Sequence, residues 1–149
     1  MVAIEIPDHY GWVILGATIA PVITSMILAG FVMSARKKHD VQYPNLYAVP
    51  GFHKTADAFN RVQRGHQNYL EGSDSYVIMT LVGGLKHPIA CAIGTVTFCV
   101  GSYLYMEGYA DTDLDVTHAR YEKGAAIKWA GFVTSLISCG KLAFDMINA

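Results

Sequence analysis

The chain has few charged residues. Of its 149 residues, 15% are charged and 52% are hydrophobic, whereas about 25% are charged in an ordinary soluble domain. The formal net charge is -1, which argues against a nucleic-acid partner, because phosphate binding requires clustered positive charge. The three cysteines lie in apolar stretches, and their number and spacing indicate neither a disulfide framework nor a metal site. This composition favours a membrane protein without a metal.

Four apolar segments are present. The stretch Tyr10–Ala35 contains no charged residue and exceeds the ~20 residues that cross a bilayer; the basic run 36–38 is expected to end it. It is also too long for a cleavable signal. Pro88–Met106 is uncharged too, whereas the second segment is apolar only in its latter part. Charges interrupt the fourth segment, where Lys128 and Lys141 are expected to extend towards water from opposite ends.

These segments predict an all-α, four-helix transmembrane bundle that forms a single domain over residues 1–149. The predicted helices are about 9–35, 55–85, 88–109 and 123–148. A soluble helical bundle is the less favoured alternative. Basic residues concentrate in the first and third connections and their flanks, namely Arg36, Lys37, Lys38, Lys54, Arg120 and Lys123. The positive-inside rule therefore places these two connections in the cytosol and both termini across the membrane.

A polar row precedes the apolar part of the second helix, in the segment FNRVQRGHQNYLE. Its members are Asp57, Arg61, Arg64, Asn68 and Glu71, at alternating spacings of four and three, which form one stripe on a helix. An ionised side chain inside a membrane costs about 2.5 to 3.5 kcal/mol on the milder scale. The row is therefore a candidate functional site. The alternative interpretation is an internal polar network in which an i, i+7 pair of Arg64 and Glu71 holds helices together.

That segment, preceded by MSARKKHDVQYPNLYA and followed by YLYMEGYA, resembles the membrane-associated proteins in eicosanoid and glutathione metabolism, the MAPEG family, and most closely its type 3 microsomal glutathione S-transferase group. The resemblance covers nearly the whole chain. It implies a four-helix membrane subunit surrounded by lipids, assembled as a homotrimer, with glutathione bound between subunits near the cytosolic face. The endoplasmic reticulum is the expected membrane, with a mitochondrial or other organelle membrane as the alternative.

The implied activity is that of a glutathione transferase or a glutathione-dependent peroxidase, with glutathione as co-substrate and no metal. Its second substrates would be lipophilic electrophiles and lipid hydroperoxides, including epoxides of the kind that leukotriene C4 synthase relatives conjugate. The alternative is a non-catalytic accessory subunit of a larger membrane complex. Two features keep this alternative open: the third connection carries Asp111, Asp113 and Asp115, and Ser102 stands where type 3 relatives carry arginine. A further departure is Gly72, which stands where the leukotriene branch has tyrosine.

By resemblance, the glutathione-binding residues are Arg36, Lys37, Arg64, His66, Asn68, Glu71, Tyr105 and Tyr109. The chemistry is suitable, because glutathione carries two carboxylates and one ammonium. Arginines can each donate two hydrogen bonds to a carboxylate, Glu71 can accept from the ammonium, and Asn68 can bind an amide. For the two tyrosines, an anchoring role at the membrane boundary is the alternative.

Catalysis requires the glutathione thiolate, whereas a free thiol of pKa near 8.5 is mostly protonated at neutral pH. Relatives place an arginine shortly after the GY of the third helix to favour the anion. Here that stretch reads ADTDLDVTHARYEKGAA, which is acidic at first and basic only late. Arg120 is the candidate catalytic residue and Lys123 matches the family pattern about as well, with a solvated loop charge as the alternative for both. The sequence therefore supports glutathione binding better than fast turnover.

Overall fold

A computed structural model describes residues 5–148, and this part of the chain is helical with no strand. Its helices are α1 (Tyr10–His39), α2 (Ala56–Gly84), α3 (Pro88–Ala110), the short α4 (Ala119–Glu122) and α5 (Ile127–Ile147). Three of them, α1, α3 and α5, are long and apolar enough to cross a membrane. Helix α2 has 29 residues, but its first half carries the polar row, so its crossing of the membrane stays a prediction.

The molecule has two different ends. Helices α2 and α3 are joined by the tight connection 85–87 at one end, which we call the hairpin end. The two longer connections, 40–55 and 111–126, lie together at the opposite end, which we call the loop end. The polar row of α2 begins at the loop end, and its helix becomes apolar towards the hairpin end.

Helix α1 is irregular in its first half and extends further than the sequence predicts. A π-helical turn over Leu15–Ile19 precedes Pro21, and the Ala20 amide donates to the Leu15 carbonyl. The basic run 36–38 lies inside the last turn rather than ending the helix, which stops at Asp40 in a left-handed conformation. Cations at a helix C-terminus interact favourably with the helix dipole, which explains this extension.

Aromatic packing joins the first three helices. The rings of Tyr76 and Phe98 are stacked with centroids 3.9 Å apart, and Tyr69 and Leu28 complete the same buried cluster. The Tyr69 hydroxyl donates to the Pro21 carbonyl at 2.6 Å, which satisfies a polar group inside the bundle. The large apolar side chains of the outer surface, in contrast, are exposed, as expected where the surrounding solvent is lipid.

Helix α5 packs closely against α3 through small residues. A Cβ at Gly101 would lie 2.7 Å from the Cβ of Lys128, so only glycine permits this approach. Gly94 and Gly131 face each other further along the same contact. Small residues at helix interfaces let backbones approach in membrane proteins. This contact fixes the first turn of α5 beside α3, at the loop end.

Candidate functional site

The polar row of α2 contains an ion pair on the surface of the chain. The Arg64 Nη1 and Glu71 Oε1 atoms are 2.5 Å apart, and Nη2 and Oε2 are 3.3 Å apart. The two side chains are 44% and 55% exposed. The i, i+7 pair of the alternative interpretation is thus present, but both partners lie on α2, so it joins no two helices. Its position leaves both charges accessible to a ligand or to a second chain.

Asn68 connects this row to α5. Its Oδ1 accepts a hydrogen bond of 2.6 Å from Lys128 Nζ. Lys128 is only 5% exposed, and its ammonium lies 4.4 Å from the ring centroid of Tyr105. The expectation that Lys128 extends towards water is therefore wrong. The sequence analysis missed this residue, because its burial depends on the close contact between α3 and α5, which a single sequence does not reveal.

Arg61 belongs to the polar row by its spacing, but its side chain contacts the connection 111–126 and not the Arg64–Glu71 pair. It is 5% exposed, its Nη2 donates to the Leu114 carbonyl at 2.9 Å, and its guanidinium lies 5.8 Å from the ring centroid of Tyr109. Arg61 therefore anchors the connection 111–126 to α2. Because a buried arginine can donate to the backbone of a packed loop, members of one helical stripe need not share one function.

The two tyrosines of α3 belong to an aromatic group at the loop end. The ring centroids of Tyr105 and Tyr109 are 6.0 Å apart, and Tyr121 of α4 meets Tyr105 edge-on at 5.9 Å. Tyr105 is buried, and its ring centroid lies 4.4 Å from the ammonium of Lys128, which binds Asn68. The structure thus connects Tyr105 to Asn68 through Lys128, whereas Tyr109 lies next to Arg61.

The structure separates the two candidate catalytic residues. The exposed guanidinium of Arg120 lies 5.6 Å from the Tyr121 ring centroid, so it adjoins the aromatic group of Tyr105. Lys123 instead binds Asp111, with Nζ and Oδ2 3.1 Å apart, and lines a different cavity beside Phe31. The hydrogen bond from Lys123 holds the pKa of the Asp111 carboxyl below its ordinary value. Arg120 is therefore better placed than Lys123 to act on a ligand at Tyr105.

Arg36 is engaged in the connection 40–55. Its Nη1 donates to the Asn45 carbonyl at 2.8 Å and to the Val41 carbonyl at 3.3 Å, and its guanidinium lies 4.4 Å from the Tyr43 ring centroid. Lys37 is exposed beside it and lines the same small cavity. Arg36 thus orders the connection 40–55, whereas the resemblance implies a role in glutathione binding for this arginine.

His66 lies on a different side of α2. At about 100° per residue, its side chain leaves the helix about 160° from that of Arg64. Its Nε2 atom is buried and has no hydrogen-bond partner in the described part of the chain. Within residues 5–148, no hydrogen bond or ion pair joins Arg36, Lys37 or His66 to the Arg64–Glu71 pair. The predicted glutathione-binding residues are therefore not all gathered at one place within one subunit.

A small cavity lies beside the Asn68–Lys128 contact. Its volume is about 220 Å³, below the roughly 300 to 1,000 Å³ of typical ligand sites. Its lining residues are Asn68, Glu71, Gly72, Phe98, Lys128, Trp129 and Phe132. One wall is polar and carries both charge signs, and the other wall is aromatic. The described residues contain no cluster of three or more His, Cys, Asp or Glu side chains able to hold a metal ion.

Comparison with known protein families agrees with this arrangement. The model of the MAPEG family matches residues 14–141, a range that includes every candidate site residue named above. This family includes glutathione transferases and peroxidases among other members, and it uses glutathione. The three apolar helices agree with an integral membrane protein. Because the match covers most of the chain, we conclude that the chain belongs to the MAPEG family.

Proposed function

We propose that the chain is a membrane-bound glutathione transferase and glutathione-dependent peroxidase, of the type 3 microsomal glutathione S-transferase group, acting on lipophilic electrophiles and lipid hydroperoxides. One observation carries this proposal: Arg64, Asn68 and Glu71 form a continuous, accessible polar row within a membrane protein. Each ionised side chain in such a place is costly. A zwitterionic tripeptide is a ligand whose charges match those of this row.

The Arg64–Glu71 pair is the core of the proposed glutathione site. On binding, Arg64 would exchange one of its carboxylate hydrogen bonds for a carboxylate of glutathione, and Glu71 would accept from the ligand's ammonium. Charge-assisted hydrogen bonds of this kind are roughly twice as strong as neutral ones. Asn68 would bind an amide of the peptide, and the hydroxyl of Tyr105 would provide a further hydrogen-bond donor. The pair thus keeps both side chains extended before the ligand arrives.

The complete site lies at a seam between subunits of a homotrimer in this proposal. Two observations support a seam. The cavity beside Asn68 and Lys128 is too small for a whole tripeptide, and Arg36, Lys37 and His66 make no hydrogen bond or ion pair with Arg64 or Glu71 within residues 5–148. Arg36, Lys37 and His66 of one subunit would then face Arg64 and Glu71 of its neighbour, with α2 as the fourth membrane helix. The endoplasmic reticulum is the proposed membrane.

The proposed chemistry begins with the thiolate of glutathione. In conjugation, the sulfur forms a bond to an electrophilic carbon, and the leaving group departs with the electron pair. In reduction of a hydroperoxide, the thiolate would attack the outer oxygen, and the O–O bond would break with release of the alcohol. The resulting sulfenic acid of glutathione would react with a second glutathione to give the disulfide and water. The apolar outer surface agrees with lateral delivery of lipophilic substrates from the bilayer. Arg120, beside the aromatic group of Tyr105, is the sequence candidate for favouring the anion.

The direct test is turnover by the purified protein in detergent. With glutathione and either 1-chloro-2,4-dinitrobenzene or a fatty acid hydroperoxide, the rate should exceed the spontaneous rate, and Arg64→Ala should remove the excess. Lys86→Ala, which changes an ion pair at the hairpin end, is the matched control and should keep it. If the rate equals the spontaneous rate with each of a panel of such substrates, the proposed enzymatic activity is contradicted.

A second candidate function is that of a non-catalytic accessory subunit. The observation in its favour is that Lys123, one of the two late basic residues, is neutralised by Asp111 in a connection that also carries Asp113 and Asp115. In this case, the protein should purify in fixed stoichiometry with a large membrane assembly and show no dependence on glutathione. Purification as a homotrimer with glutathione-dependent turnover would exclude it.

A further inference from the structure

The ammonium of Lys128 has spare hydrogen-bonding capacity. A lysine ammonium carries three N–H donors. Among residues 5–148, Asn68 Oδ1 is the hydrogen-bond acceptor in contact with it, at 2.6 Å. One further side is covered by the faces of Tyr105 and Trp129, whose ring centroids lie 4.4 and 5.2 Å from Nζ. Lys128 is also one of the residues that line the cavity beside Asn68.

A buried cation in this state favours an anionic partner. Lys128 is 95% removed from solvent, since 5% of it is exposed, and burial of an incompletely paired charge is costly. The charge is also fixed in place, because the backbone of Lys128 contacts Gly101 of α3. Glu71 lines the same cavity but makes its hydrogen bonds to Arg64. The cavity therefore presents an anchored positive charge to whatever enters it.

The cavity also restricts the anion. It adjoins the proposed glutathione residues Asn68 and Glu71, and its opposite wall is formed by Phe98, Trp129 and Phe132. Aromatic walls suit a soft, weakly hydrated atom and a lipophilic reaction partner better than a strongly hydrated carboxylate. Its volume of about 220 Å³ accommodates part of a ligand rather than a whole tripeptide. A sulfur-bearing side chain fits these limits.

We infer that Lys128, rather than the connection between α3 and α5, supplies the cation that binds the glutathione sulfur as a thiolate, with the aromatic wall of the cavity receiving the lipophilic electrophile. This inference rests on the proposed function. The S–H bond of glutathione breaks with its electron pair left on sulfur, the proton passes to water, and the thiolate accepts a hydrogen bond from Lys128 Nζ.

Burial decides between Lys128 and Arg120. Arg120 is exposed, so water and salt screen its charge, whereas the charge of Lys128 acts through the low dielectric of the bundle interior. In this account, Arg120 guides the anionic co-substrate at the mouth of the site, and Lys128 contacts the reacting atom. Lys128 is thus a catalytic residue, and Asn68 is a positioning residue that orients its ammonium.

Two analogues of glutathione provide the test. Glutathione sulfonate carries a permanent negative charge on the sulfur group, and S-methylglutathione has a neutral sulfur. Both should bind the purified protein. Lys128→Met should weaken sulfonate binding by about 10- to 100-fold, the range for losing one hydrogen bond to a charged group, and should change S-methylglutathione binding by less than about 3-fold. Lys128→Arg should restore the preference for the sulfonate.

Two further variants complete the experiment. Lys128→Gln keeps a polar group for Asn68 and should also lose the preference, so the test does not depend on one substitution. Lys141→Met removes the other lysine of α5 and should leave both affinities unchanged. Binding of S-methylglutathione shows that each variant is folded, which separates loss of the charge from loss of the site.

Three outcomes would overturn the inference. Equal weakening of both analogues, or no weakening of either, would assign Lys128 to helix packing alone. Unfolding of the protein with both Met and Gln at this position would do the same. If neither analogue binds the unmodified protein, the proposed function itself fails. If instead both analogues bind and their relative affinity does not depend on Lys128, only the present inference fails.

Discussion

Lys128 and Lys141 both interrupt the apolar sequence of α5, one at the loop end and one near the hairpin end. Lys128 is 5% exposed and donates to Asn68 at 2.6 Å. The Lys141 side chain is 53% exposed, and its Nζ lies 4.0 Å from Asp145. The same residue type on one helix therefore has two environments. The difference comes from Gly101, which lets α3 cover the first turn of α5.

The ion pairs of the two ends also differ in whether they join separate parts of the fold. At the hairpin end, Lys86 and Asp145 are 2.6 Å apart and join the α2–α3 connection to α5. At the loop end, Arg64 and Glu71 are both on α2 and join nothing. The Lys86–Asp145 pair thus holds two parts of the fold together, whereas the Arg64–Glu71 pair is available for a ligand. The comparison separates structural charge from charge suited to binding.

The largest effect should come from removing one charge at each end. Arg64→Ala should weaken glutathione binding by about 10- to 100-fold, since it removes one charge-assisted hydrogen bond to the ligand, worth about 1.5 to 3 kcal/mol, and leaves Glu71 without its partner. Lys86→Ala should leave the affinity unchanged and should lower stability only slightly, because exposed pairs contribute about 0 to 1 kcal/mol. Thermal shift in detergent with increasing glutathione measures both. Equal affinities in the two variants would remove the distinction between the ends.

A second, smaller effect on stability should come from replacing glycines of α3 and α5 by alanine, depending on whether the glycine contacts a neighbouring helix. Gly101→Ala should destabilise the protein by about 1 to 3 kcal/mol, the usual cost of overpacking, because the added Cβ meets the Lys128 backbone. Gly140→Ala is the matched control: nothing lies within 4 Å of its added Cβ, and alanine favours a helix by about 1 kcal/mol. Unfolding midpoints in detergent should move in opposite directions. A harmless Gly101→Ala would mean that α3 does not hold Lys128 in place.

A smaller effect should distinguish the two basic residues near α4. Arg120→Ala should lower kcat/KM for glutathione by about 10-fold, equivalent to about 1.4 kcal/mol, because Arg120 guides the anionic co-substrate, and it should leave the rate at saturating glutathione nearly unchanged. Lys123→Ala should keep both values, because Lys123 is engaged by Asp111 and lines a different cavity. Steady-state rates over a range of glutathione concentrations provide the comparison. The reverse pattern would assign the role to Lys123 and show that Asp111 releases it.

The smallest effect concerns pH at the Asp111–Lys123 pair. The pKa of Asp111 is lowered by its hydrogen bond to Lys123, so its contribution to stability is present above the unfolded-state value of 3.8. That contribution is lost as the pH falls through the lower folded-state value. Asp111→Asn should therefore lower the thermal midpoint slightly at neutral pH and have no effect once the carboxyl is protonated. A pH-independent difference would show that the charge of Asp111 is irrelevant.

The sequence predicts α1, α3 and α5 because each contains an apolar run long enough to cross a bilayer. It also predicts the Arg64–Asn68–Glu71 row, because helical spacing is a local property. It does not predict that Arg61 turns to Leu114 or that Arg36 binds the carbonyl of Asn45. Those contacts depend on how distant connections fold back on the helices. The burial of Lys128 was missed for the same reason, since it requires Gly101, far along the chain, to lie beside it.

The resemblance and the family match address different questions. Membership of the MAPEG family follows from the match over residues 14–141. The assignment to its type 3 group, the homotrimer and the individual ligand contacts are proposals that depend on the loop end. Arg64 and His66 are two residues apart on α2 but lie on different sides of the helix. One glutathione molecule is proposed to contact both positions only between two subunits, so these proposals depend on the assembly.

The most direct measurement is a density map of the purified protein with glutathione bound. We expect a homotrimer with a tripeptide-shaped ligand at each seam, in contact with Arg64, Asn68 and Glu71 of one subunit and with His66 of the next, and with its sulfur near Lys128. A map in which the polar row is occupied by a different polypeptide, or faces lipid tails with no room for the tripeptide, would contradict the account.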